Sequence, residues 1–161
     1  MYKSITIMLA TFVAALSGVA YAADVAAATV KTGHLGDTLR LRGSDMTYTT
    51  ADVMVWKTMR VPKGNLLGVR LTLRNVRTKY NKYNDWWDRI TTCVKLLDTK
   101  GQRLRVVRSA TDEQIYEIHL DLGESVKGWV YFRTQPKQKA ETFQFKVNGA
   151  LGYDTGRWSL R

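Results

Sequence analysis

The stretch Leu120–Arg133, LDLGESVKGWVYFR, decides the fold. Just before and into it, Tyr116, Ile118, Leu120 and Leu122 alternate with Glu117, His119 and Asp121. That is the period-two pattern of a half-buried strand. Gly123 ends the run, where a positive φ carries no steric cost. Val126, Gly128, Val130 and Phe132 then share one face, and Lys127, Trp129, Tyr131 and Arg133 the other. The pattern predicts strand, turn and strand, closed as a hairpin. A lone hairpin is marginal in water, so its apolar face requires further strands.

The flanking sequence supplies them. Leu66–Asn75 is the clearest, with Leu67, Val69, Leu71 and Leu73 inward and Arg70, Thr72 and Arg74 outward. It follows a turn at Val61–Asn65 that contains Pro62 and Gly64. Before that turn, Asp52–Val61 predicts a strand with Val53, Val55, Met59 and Val61 on one face; Lys57 interrupts that face and predicts a bulge or strand end. Arg89–Asp98 predicts a strand, Asp98–Gly101 a hairpin turn, and Gln102–Arg108 the returning partner, with Leu104 and Val106 opposed to Arg103 and Arg105. Phe143, Phe145 and Val147 mark another strand. His34–Gly43 reads as one strand preceded by a small-residue lead-in, Ser44–Asp52 as a loop or edge strand, and Ala150–Arg161 as a segment with a short edge strand. About seven to nine short strands without helical crossovers predict an all-β antiparallel sandwich or barrel. Residues 23–161 are expected to form one such domain.

Four pieces in order, VPKGNLLGVRLTLRN (Val61–Asn75), KLLDTKGQRL (Lys95–Leu104), LDLGESVKGWVYF (Leu120–Phe132) and TFQFKV (Thr142–Val147), resemble an exported bacterial family of unknown function. The resemblance implies an immunoglobulin-like β-sandwich, the fold group of the mycobacterial secreted immunoprotective antigen. It implies an architectural role for Gly123, Glu124 and Gly128, and no catalytic residue is carried over. Leu122 stands where that family has Pro before the turn glycine, and Pro136 comes late.

The chain has 161 residues, 45% hydrophobic and 24% charged, the size and composition of one ordinary domain with its own core. Residues 1–22 predict a cleaved secretory signal: Lys3, an uncharged apolar run from Ile5 to Val19, and Ala20-Tyr21-Ala22 as the cleavage site. The expected location is the periplasm or the exterior, with no transmembrane span in the mature form. Cys93 is the single cysteine, so no intrachain disulfide forms. It either lies buried and inert or pairs with another chain; its place inside a predicted strand favours burial. The net charge of +11 attracts anions, although a basic exported protein also arises without any such partner.

The loop from Arg74 to Arg89 holds the densest mixture of cations and aromatic rings. Arg77, Lys79, Tyr80, Lys82, Tyr83, Trp86, Trp87 and Arg89 are the candidate binding residues there, since rings stack on sugars or bases and cations meet phosphate or carboxylate. The alternative is that Trp86 and Trp87 fold back to cap the sandwich. Arg103, Arg105 and Arg108, with Lys95 and Lys100 across the hairpin, form a second candidate basic face. Glu117, His119 and Asp121 combine carboxylate and imidazole, but no nucleophile signature accompanies them. No metal-ligand spacing or phosphate-cradling glycine loop occurs, so no catalytic residue, cofactor or metal is expected. The function that fits is a non-enzymatic binding module whose partner is a protein or an anionic envelope or host polymer, with no specific nucleic acid expected. The alternative is a structural or assembly subunit of an envelope complex; a hydrolase fits less well.

Overall fold

A computed structural model describes residues 28–44, 49–61, 64–78, 85–109 and 113–161. The central strand is β4 (Leu66–Arg77); β1 (Val30–His34), β2 (Thr38–Arg42) and β3 (Thr50–Val61) precede it. After it come β5 (Trp86–Arg89), a helical turn α1 (Ile90–Cys93), β6 (Val94–Asp98), β7 (Arg103–Val107), β8 (Glu117–Leu120), β9 (Ser125–Arg133), β10 (Ala140–Phe145) and β11 (Thr155–Ser159). Nine strands hydrogen-bond in the order β1-β11-β10-β6-β7-β9-β4-β3-β2, and β5 pairs with β8 alone.

The long sheet folds over at β7, which pairs with β6 on one side and β9 on the other. One layer is therefore β1-β11-β10-β6 and the other β2-β3-β4-β9. Inward leucines and valines of β4 and β3 meet aromatic residues of the opposite layer, as expected for an aligned sandwich. Phe132 of β9 sits edge-on to Phe143 of β10 at 6.2 Å. Leu71, Leu73, Val130, Phe143, Phe145 and Trp158 are fully buried. The β5–β8 pair adds Trp86, Ile118 and Leu120 to the same core. This is the all-β immunoglobulin-like sandwich that the strand pattern and the resemblance led one to expect.

The layers meet at a second seam, where the start of β1 and the end of β2 flank the residues just before β11. Here Asp154 is completely buried. It accepts from Thr29 Oγ1 at 2.5 Å, the Arg42 backbone N–H at 2.9 Å and Arg42 Nη2 at 2.9 Å, and pairs with Lys31 Nζ at 3.1 Å. Burial by itself would raise its pKa, but the Arg42, Thr29 and Lys31 donors outweigh it and hold the carboxyl well below the usual carboxylate range.

Several sequence expectations change in the folded chain. Leu120–Arg133 does not close as a hairpin: β8 pairs with β5, whereas β9 pairs with β4 and β7. The turn between them is a crossover anchored by buried Asn75, whose Nδ2 donates to the Leu120 carbonyl at 3.0 Å while its own carbonyl accepts the Gly123 N–H at 2.7 Å. Gly123 has φ 85°, as its position in the turn requires. Leu122 is consequently exposed rather than inward. His34–Gly43 is two strands, split by a turn in which the Gly36 N–H reaches the Val55 carbonyl at 2.7 Å. The supposed lead-in already holds the start of β1, which lies parallel to β11 and makes the sheet mixed.

Arg89–Asp98 is interrupted by α1. Ile90 and Cys93 are both buried, and a spacing of three places them on one side of a helical turn but on opposite faces of a strand. The bulge expected near Lys57 is present between Val55 and Lys57. It reverses the alternation, so Met59 points outward, 42% exposed. The last strand is no edge: β11 lies between β10 and β1, which is why Trp158 is in the core.

Candidate functional site

Residues 79–84 lie outside the described residues, and with them Lys79, Tyr80, Lys82 and Tyr83. Arg77 is exposed at the end of β4. The neighbouring tryptophans separate, because consecutive residues of a strand face opposite ways. Trp86 is only 1% exposed. Its Nε1–H donates to Asp88 Oδ2 at 3.0 Å, and its ring stands edge-on to Phe145 at 6.3 Å. Its ring is therefore a core cap and offers no face to a ligand. Trp87 is 55% exposed. It lies opposite His119 in register, and exposed Arg89 lies opposite Glu117. His119 Nε2 is 2.9 Å from Asp85 Oδ2. The outer face of the small sheet thus carries both signs of charge around one open indole. Asp121 falls in the turn beyond β8, so Glu117, His119 and Asp121 do not form one strand face.

The second candidate row is more informative. Arg103 and Arg105 point outward from β7, while Leu104 between them is buried. Arg108 leaves the row: its guanidinium lies 3.8 Å from the centre of the Tyr116 ring. Two cations that sequence reasoning did not single out take its place. Gln144 of β10 is flanked in register by Arg157 of β11 and by Lys95 of β6, so the three form one row across three strands. Lys146 follows Gln144 by two residues, and Arg103 Nη2 reaches the Val94 carbonyl at 3.4 Å beside Lys95.

These side chains line a cleft of about 720 Å³, whose remaining walls include Thr91 and Ala150. An adjoining hollow of about 340 Å³ shares Thr91 and Arg103 and adds Arg105. Among the described residues, no carboxylate lines either one. Lys95, Arg103, Arg105, Arg133, Lys146 and Arg157 make no ion pair among the described residues. Arg105 even stands directly opposite Arg133 across the β7–β9 pair. A hollow of about 600 Å³ near Lys139 differs, because Arg60 there donates to the Gln138 carbonyl and Arg161 pairs with Glu141.

Cys93 is among the residues around the cleft, but it is buried. Burial, aided by the nearby Asp88 carboxylate, pushes its pKa far up, so the sulfur stays protonated and unreactive at neutral pH. No cluster of three or more His, Cys, Asp or Glu that could hold a metal occurs among the described residues. No helix of the described residues is long and apolar enough to cross a membrane. The site's chemistry is therefore that of a positively charged recess whose cations, threonine hydroxyls and one amide can meet an oxyanion.

Lys146 and Arg157 had a sequence signal of a kind. Each alternates with an inward residue, Lys146 after Phe145 and Arg157 before Trp158. Their outward direction was legible; their proximity to Lys95 was not.

No family model matches the chain, and no curated protein matches it either. Solved structures that share its fold include two from bacteria. MPT63, a secreted protein from Mycobacterium tuberculosis, superposes with a TM-score of 0.61 at 16% identity, over 80% of this chain and 96% of that one. The yjhA protein from Bacillus subtilis superposes with a TM-score of 0.55 at 16% identity, over 80% of this chain and 100% of that one. At such identities the likeness establishes the sandwich, and function has to be argued from the site.

Proposed function

We propose that this chain is an exported, non-enzymatic binding module that takes an anionic partner on the outer face of β6, β7, β10 and β11. The observation that carries the proposal is the set of cations on and beside that face, Lys95, Arg103, Arg105, Arg133, Lys146 and Arg157, left without a carboxylate among the described residues. Like charges held together raise the local potential and attract anions well beyond contact distance. Trp87 and Arg89, exposed on β5, add an indole able to stack and a further cation. Export is supported by the apolar run ending in Ala20-Tyr21-Ala22 and by a fold neighbour that is a secreted protein. Intact mass of the exported species should then show a chain beginning at Ala23; a membrane-held species that retains Lys3 would overturn export.

The binding test compares two pairs of lost charges on heparin at several salt concentrations. Lys95→Ala with Arg157→Ala should weaken binding and lower the salt slope by about one unit per lost contact. Arg40→Ala with Lys127→Ala removes the same formal charge from the opposite face and should leave the slope unchanged. Equal weakening by both pairs would reduce the interaction to bare net charge and defeat the assignment of this face.

A further inference from the structure

We propose that the 720 Å³ cleft is a discrete site for one small hydroxylated ligand bearing two tetrahedral oxyanion groups, phosphate or sulfate esters. The proposal rests on the anion-binding function above and names the ligand class of that face. The register supplies the geometry. Arg157, Gln144 and Lys95 occupy directly paired positions on β11, β10 and β6. Neighbouring strands lie about 4.8 Å apart, so the two cationic residues stand about 10 Å apart at their backbones with an amide between them. That separation suits one sugar ring esterified at both ends.

The Lys95 end has a second cation, because the Arg103 guanidinium reaches the Val94 carbonyl. Lys146, two residues beyond Gln144 on the middle strand, adds a fourth cation to the lining. Two cations facing one ester neutralise a dianion, and arginine adds a planar fork of donors suited to tetrahedral oxyanions. Gln144 offers both a donor and an acceptor, the combination that a ring hydroxyl between the two esters requires. The volume lies within the usual range of small-ligand sites, about 300–1,000 Å³. Among the described residues the lining holds no carboxylate to repel the ligand.

The test is isothermal titration of the purified protein with fructose 1,6-bisphosphate, fructose 6-phosphate and inorganic phosphate at one salt concentration. Bisphosphate should bind with a stoichiometry of one and about tenfold more tightly than either single-phosphate probe. Lys95→Ala and Arg157→Ala should each lower its affinity about tenfold, whereas Lys127→Ala should not. Gln144→Ala, which changes no charge, should lower it several-fold while leaving the unfolding midpoint in place. A sulfated heparin tetrasaccharide separates the two sources of such esters. Displacement of bisphosphate by the tetrasaccharide, one for one and at lower concentration, assigns the site to a polymer unit; weaker displacement assigns it to a free sugar ester. Bisphosphate that binds no better than inorganic phosphate, or at several sites, overturns the cleft. If long heparin is still retained by the Lys95 and Arg157 face in that case, the broader function survives; if both fail, both fall.

Discussion

The two outer faces of the sandwich carry similar numbers of cations and treat them in opposite ways. On the β2-β3-β4-β9 face, Arg40 pairs with Asp52 at 2.8 Å and Arg70 with Glu113 at 3.2 Å. Arg70 and Lys57 also lie 5.4 and 5.8 Å from the centre of the Trp129 ring, and Lys127 lies 4.4 Å from that of Trp56. Trp129 stacks on Tyr131 at 6.3 Å, and a Cβ at Gly68 would come within 3.0 Å of each ring. Glycine there lets both rings lie against the sheet. The result is a second, small aromatic cluster on the outside of the fold, sealed by cations. On the β6-β7-β10-β11 face the cations meet a glutamine, threonines and one another. Charge count therefore does not distinguish a structural face from a binding face; the identity of the cross-strand neighbour does.

Trp129→Ala should break the comparison most severely. Trp129 is 6% exposed although it points away from the main core. Removing it should cost about 3–5 kcal/mol in urea unfolding, while Gln144→Ala on the open face should stay within about 0.5 kcal/mol. Similar midpoints for the two variants would mean that the sealed face is not packed.

Asp154 provides the next largest effect, since it neutralises Arg42 and Lys31 at the edge of the sealed side. Asp154→Asn should cost about 2–3 kcal/mol, below the figure for a fully buried pair because both cations are partly in water. Its folded pKa lies below its unfolded value, so its contribution is present at neutral pH and lost as pH falls. The loss should begin near the unfolded value of about 3.9 and continue through the lower folded one. Stability measured down this range should therefore decline more steeply for the parent than for Asp154→Asn; parallel decline would remove Asp154 from the account.

The smallest effect concerns the open face. Arg105→Glu places an opposite charge across from Arg133 and should stabilise by about 0.2–1 kcal/mol while weakening heparin retention. A variant that is less stable than the parent would show that the Arg105–Arg133 repulsion is already relieved.

Much of the fold was legible in short-range patterns. The inward set of β4, the bulge near Lys57, the β6–β7 turn at Gly101 and the inward Phe143, Phe145 and Val147 follow from alternation and turn chemistry. The candidate site was legible only in part. Arg103 is where its pattern placed it, whereas Trp86 went to the core, Arg108 to Tyr116, and Lys146 and Arg157 passed unnoticed.

The chain's own sequence determined that it forms strands, where most of them turn and which side of each turns inward. Those properties depend on residues one or two positions apart, within reach of backbone sterics and of the pleat. Only the tertiary structure decided that β8 pairs with β5 instead of β9, that β11 lies beside β10, and that Lys95, Arg103, Gln144, Lys146 and Arg157 share one recess. Strand adjacency joins residues as far apart as Lys95 and Arg157, and alternation within a strand is the same whichever strand lies next to it.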